Sequence, residues 1–184
     1  MPRLPRRKRA GEEAAKAQPL VDSLMDEILG AIPSPWRFED FVAFVAERRG
    51  KPIELRPIDA VLLDGAPCGW SVDYEERDIV YYAVNTAESH SRFISYHECA
   101  HLLCGHTGTE RARESILELA PDVDQEKARD WFCRTDFDDP QEVEAEMLAL
   151  RLHRYDIDTL NLRSTDPAAA ARVVRFNNLL GGLS

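Results

Sequence analysis

Apolar positions along the chain fall first into helical spacing and then into alternation. From Pro19 onward, Leu20, Val21, Leu24, Ile28 and Leu29 recur at helical intervals. They predict an amphipathic helix that Pro33-Ser34-Pro35 stops. Phe41, Phe44 and Val45 predict a second helix over about 38–49, with Gly50 as its C-terminal stop. The period then shortens to two. Ile53-Glu54-Leu55-Arg56-Pro57-Ile58 reads as a strand, placed at a sheet edge because Pro57 has no N–H to give a neighbour. After the turn Ala66-Pro67-Cys68-Gly69, Trp70-Ser71-Val72-Asp73-Tyr74 alternates. Polar Glu75-Glu76-Arg77-Asp78 separates it from the β-branched and aromatic run Ile79-Val80-Tyr81-Tyr82-Ala83-Val84, so the two predict an antiparallel hairpin.

A further helix is predicted from near Glu88 or Ser91 to Cys104, before Gly105. Glu110–Leu119 suggests a weaker helix, and 121–137 gives no clear element despite Trp131 and Phe132. Asp138-Asp139-Pro140 reads as a helix start, and Gln141–Arg154 as a strong helix with Val143, Met147, Leu148 and Leu152 for burial. Asp166-Pro167 opens a last helix that ends by Gly181-Gly182. The expected class is α+β: helices with a small antiparallel sheet beside helix 88–104. The expected organisation is a disordered basic tail over 1–17, a domain over 18–154 and a C-terminal helical extension over 155–184.

Composition narrows this picture. The chain has 184 residues, 44% of them hydrophobic, which suits one domain with a real core. No stretch approaches the roughly 20 apolar residues that span a bilayer. Basic, Pro-broken Met1–Arg9 is followed by no apolar run, so it does not read as a secretory signal. Four cysteines without a CxxC pair point to free thiols in a reducing cytoplasm. Residues 1–17 hold six basic and two acidic side chains, a net +4, which leaves −14 of the overall −10 for the remainder. An acidic body repels phosphates, so direct nucleic-acid binding is not expected.

The chemistry concentrates in His97-Glu98-Cys99-Ala100-His101. Residues four apart share a helix face, so two imidazoles can converge on one metal, while Glu98, about 100° around the helix, can reach a water there without ligating. With 5 His and 17 Glu in the chain, an accidental HExxH has a chance of only about 1%. One Zn2+ per chain suits this set, with two nitrogens, one carboxylate and one open position. Glu98 is then the catalytic base. The third ligand is expected in Gln141-Glu142-Val143-Glu144-Ala145-Glu146. Glu142 is preferred, with Glu146 one turn on as a hydrogen-bond partner for a ligand histidine; Glu144 is the alternative. His106 reads as a surface or supporting histidine. Cys104 reads as a small buried hydrophobe, although a thiolate ligand is conceivable at its position. Tyr81, Tyr82, Tyr96 and Arg92 are candidates for stabilising an oxyanion, and the spacing selects none of them.

Together, Trp70, Asp78-Ile79-Val80-Tyr81, the Thr86 region, Ile94-Ser95-Tyr96-His97-Glu98-Cys99-Ala100-His101-Leu102-Leu103, His106 and Glu142-Val143-Glu144-Ala145-Glu146-Met147-Leu148-Ala149 resemble the ImmA/IrrE family of metallopeptidases. The resemblance spans about residues 70–154. It implies a zincin-like, gluzincin-type domain in which His97, His101 and Glu142 hold zinc. It also implies a cytoplasmic endopeptidase that cuts a protein partner, a helix-turn-helix repressor controlling stress or mobile-element genes. Cys99 stands where a small or apolar residue is usual, and Glu146 where Asn or Asp is commoner. Two other readings are a metal-stabilised binding module that regulates a transcription factor without cutting it, and a component of a toxin–antitoxin pair. An extended substrate is expected to add to a sheet edge near Trp70–Val84.

Overall fold

The helix that carries the HExxH run is enclosed, and the fold is built around it. A computed structural model describes residues 6–63, 68–108, 114, 116, 117, 123, 124, 126–133 and 139–163. The elements are α1 (Arg6–Ala31), α2 (Phe38–Arg49), β1 (Ile53–Asp59), a 3-10 turn (Ala60–Leu63), β2 (Gly69–Tyr74), β3 (Asp78–Val84), α3 (Glu88–Cys104), β4 (Ala128–Cys133) and α4 (Pro140–Arg163). The chain is thus mixed α/β, with a small sheet. Every residue of α3 from Ile94 to Leu103 is buried. Helix α3 packs against α2, α4, β2 and β3. A helix covered all round shows no single apolar stripe.

The sheet has the order β1-β3-β2-β4. The expected hairpin is present, β2 antiparallel to β3 with Trp70 opposite Tyr81 and Val72 opposite Ile79. The sheet as a whole is mixed rather than antiparallel, because β1 runs parallel to β3. Helix-free connections favour antiparallel neighbours, but here β2 intervenes in sequence between β1 and β3, so they can lie side by side in the same direction. Strand β1 does lie at an edge, where Pro57 is tolerated. Strand β4 was not anticipated; it pairs antiparallel with β2. The strand edge expected over Trp70–Val84 is therefore closed on both sides, by β4 on β2 and by β1 on β3.

Two clusters sandwich the sheet. Val21, Leu24, Met25, Ile28, Phe41, Val45, Tyr96, Leu148 and Leu152 pack with Val80 on one face. Trp70, Val72, Ile79, Tyr81 and Ala83 pack on the other. Side-chain alternation along β3 sends Val80 one way and its neighbours the other, which explains why this central strand is a continuous apolar run.

Two sequence expectations are corrected. Residues 6–17 are helical, not disordered. Their alanines, Glu13 and Lys16 are strong helix formers, the Glu13–Lys16 pair closes at 2.7 Å, and Ala17 reaches the core. Helix α4 continues unbroken past Arg154, the point taken as a domain boundary. Tyr155 packs edge-on against Trp36, and Asp156 and Thr159 are buried, so this stretch belongs to the same core. The helix expected after Asp166 lies outside the described residues. Within the helix expected over 110–119, Glu114, Ile116 and Leu117 are helical and the rest lies outside the described residues. No helix among the described residues is long and apolar enough to cross a membrane.

Candidate metal centre

Two helices meet at the site, and the caps at their ends determine how. Helix α4 starts as Asp139-Pro140 predicts: Asp139 Oδ1 accepts from the Gln141 N–H at 3.0 Å. The Gln141 side-chain oxygen accepts from the Thr107 N–H at 3.1 Å, tying the start of α4 to the turn after α3. That turn is made by Gly105, at φ 68°. Gly105 donates its N–H to Leu102 O and His106 donates to His101 O, a paired closure of the helix end that folds the chain back over its last turn. Only a residue free of a Cβ adopts this conformation cheaply.

His97, His101 and Glu142, all buried, bring their donor atoms within 4.8 Å of one another. His97 Nε2 and His101 Nε2 are 3.1 Å apart. Carboxylate oxygens of Glu142 lie 3.4 Å from His97 Nε2 and 3.7 Å from His101 Nε2. These separations bracket the roughly 3.3 Å edge of a tetrahedron whose bonds are about 2.0–2.1 Å, the bond lengths of zinc with nitrogen and oxygen. The donor set therefore fits a divalent cation of that size. Burial alone would push the His97 pKa down, but Glu142, Glu146 and Glu98 outweigh it and raise it to about 9. Three carboxylates around one imidazole make a pocket that favours positive charge.

Each of the two histidines has a second group behind it. Glu146 Oε2 lies 3.5 Å from His97 Nδ1, as the one-turn spacing from Glu142 suggests. His106 Nδ1 is 2.9 Å from His101 Nδ1, and His106 Nε2 is 2.9 Å from Glu144 Oε2. Glu144, two residues from Glu142 and so on a different side of α4, is thus engaged by His106 rather than by the histidine pair. His106 is buried and belongs to the site's support. Its role was only half legible in sequence; the signal was Gly105, which turns it back onto His101. Cys104 groups not with His97 but with His106 and Glu144.

Glu98 is buried beside the start of β2, outside the His97–His101–Glu142 set. A Cβ on Gly69 would come within 3.0 Å of Glu98 Oε1. Gly69 is thus a site residue that sequence reasoning missed. The oxyanion candidates have other engagements. Tyr81 stacks on Trp70 and accepts from Arg56 at 3.0 Å. Tyr82 packs on the cluster around Trp70. Tyr96 is sealed among Phe38 and Phe41, and burial raises its pKa steeply. Arg92 bridges Glu88 at 3.0 Å and buried Asp156 at 3.3 Å, fastening α3 to α4.

Compared with family models, with curated proteins and with solved structures, the chain has no match.

Proposed function

We propose that the chain is a zinc-dependent endopeptidase of the ImmA/IrrE kind, zincin-like in fold, acting in the cytoplasm on a protein partner such as a helix-turn-helix repressor. The observation that carries this reading is the convergence of His97, His101 and Glu142 at near-tetrahedral spacing, with the Glu98 carboxylate buried alongside. Zinc held by these three residues would supply Lewis acidity, polarising the scissile carbonyl and acidifying a water. Glu98 would act as the base that takes a proton from the attacking water and as the acid that returns it to the leaving amine. Glu146 and His106 hold the two imidazoles in the tautomer that presents Nε2 to the cation. With β2 and β3 each paired on both sides, an extended substrate is received not on that hairpin but at an outer strand of the sheet.

The test combines metal content and cleavage. Wild type should hold one zinc per chain, and His101→Ala should lose it. Glu98→Gln should keep zinc and lose cleavage of a candidate repressor. Cleavage surviving Glu98→Gln refutes the mechanism. Stoichiometric repressor binding with no products replaces it with the metal-stabilised binding module.

A further inference from the structure

A second set of metal-donor side chains lies just beyond the first. The donor atoms of Cys104, His106 and Glu144 fall within 4.8 Å of one another. They come from the last residue of α3, the residue after Gly105 and the first turns of α4, so the helix-end turn and the Asp139 cap assemble this set too. A thiolate, an imidazole and a carboxylate, with water completing the coordination, is a donor combination suited to zinc-class cations and poorly suited to magnesium or calcium. The Glu144 side chain is 26% exposed and the His106 side chain 4%, so a cation has a route in from solvent at one end and a buried anchor at the other.

We propose that Cys104, His106 and Glu144 form a second site for a thiophilic divalent cation, coupled to the first through the contact between His106 and His101. The site itself stands on its own three residues; only the coupling rests on reading His97, His101 and Glu142 as metal ligands.

The proton balance defines the coupling. With the outer site empty, one arrangement satisfies both short contacts. His101 Nδ1–H donates to His106 Nδ1, and His106 Nε2–H donates to Glu144. A cation on Cys104, Glu144 and His106 Nε2 displaces the thiol proton to solvent and moves the imidazole proton of His106 from Nε2 to Nδ1. Two N–H groups then face each other across 2.9 Å, and the support of His101 is lost. Loss of such support weakens metal binding by about 10–100-fold. Linkage is reciprocal, so a filled inner site opposes the outer cation by the same factor. The outer site thus acts as a brake that engages when thiophilic metal is in excess. The thiol is protonated at rest, because burial and then the Glu144 charge push its pKa up to about 12, and the cation must displace that proton.

The experiment is a cadmium titration of the full chain under thiol-free reductant, read by ultraviolet thiolate-to-cadmium charge transfer and by bound metal. Wild type, Cys104→Ser, Glu144→Gln, Cys68→Ser and Glu142→Ala are compared, with circular dichroism to establish folding. The charge-transfer band should appear in wild type, Cys68→Ser and Glu142→Ala. It should vanish in Cys104→Ser with loss of one bound cation, and should need higher cadmium in Glu144→Gln. Glu142→Ala should lose the inner cation and, freed of the opposing site, show the band at lower cadmium. A band that survives Cys104→Ser, or is absent from every protein, overturns the second site while leaving an inner site detected by bound metal intact. A band lost in Glu142→Ala assigns Cys104 to the inner site and also overturns the proposal.

Discussion

Gly69→Ala probes the contact on which the placement of Glu98 depends. Strand β2 begins directly against α3, and a methyl group built on Gly69 would lie 2.5 Å from Ile94 Cγ2, 3.0 Å from Glu98 Oε1 and 3.0 Å from the backbone oxygen of Tyr81. Carbon atoms at rest sit about 3.5–4.0 Å apart, so strand and helix must separate by about 1 Å or Ile94 must leave its rotamer. Ile94 is buried, and the Tyr81 oxygen belongs to the paired strand β3, so neither yields freely. Overpacking of this kind costs about 1–3 kcal/mol. For a chain of this length each kcal/mol lowers Tm by about 2–4 °C, so scanning calorimetry should record a drop of roughly 2–12 °C. Metal content should be preserved, because none of the three crowded atoms belongs to His97, His101 or Glu142. Under the mechanism proposed for Glu98, hydrolysis should fall further than stability explains, since displacing a catalytic group by about 1 Å can cost on the order of 100-fold in rate. A variant with unchanged Tm and full activity would refute the reasoning.

Three other outcomes follow from the same structure. Asp78 is fully buried and bonds Arg49 at 2.7 Å and Lys51 at 2.8 Å, and Asp73 shares both cations. Removing both partners with Arg49→Ala and Lys51→Ala should cost about 3–5 kcal/mol in urea unfolding, with each single change costing less than half because the other cation remains. Leu148→Ala, fully buried where α4 joins the helical core, should cost about 2–5 kcal/mol by the same measurement. In the metal-free protein the His97 pKa stands at about 9 against an ordinary 6.5, so the folded state holds the proton more tightly than the unfolded chain. That stabilisation is complete below pH 6.5 and is lost as pH rises through about 9, so metal-free unfolding should become easier across that window and the zinc-loaded protein should not show the trend.

Local pattern carried a large part of this protein. His97 and His101 share a face because four residues make about one helical turn, and Glu142 and Glu146 repeat the same spacing, so the side chains that the fold brings together, Glu142 with both histidines and Glu146 with His97, were legible as two i,i+4 pairs. The β2–β3 hairpin was legible from alternation and a polar turn, and the start of α4 from Asp-Pro. What escaped has a common cause: it depends on residues distant in sequence. Parallel pairing of β1 with β3 and the addition of β4 to β2 depend on which edges remain open once the hairpin forms, and no local period encodes that. Helicity over 6–17 was hidden because a polar, Ala-rich segment looks unfoldable until Ala17 and the α1 stripe behind it are packed against α4. Tyr155 and Asp156 looked like the start of an extension because their partners, Trp36 and Arg92, lie far back in the chain. Sequence alone thus determined which side chains could converge on a cation. Tertiary structure decided the pairing of Glu144 with His106, the position of Cys104 beside them and the closeness of Gly69 to Glu98, because those contacts exist only once α3, α4 and β2 are packed together.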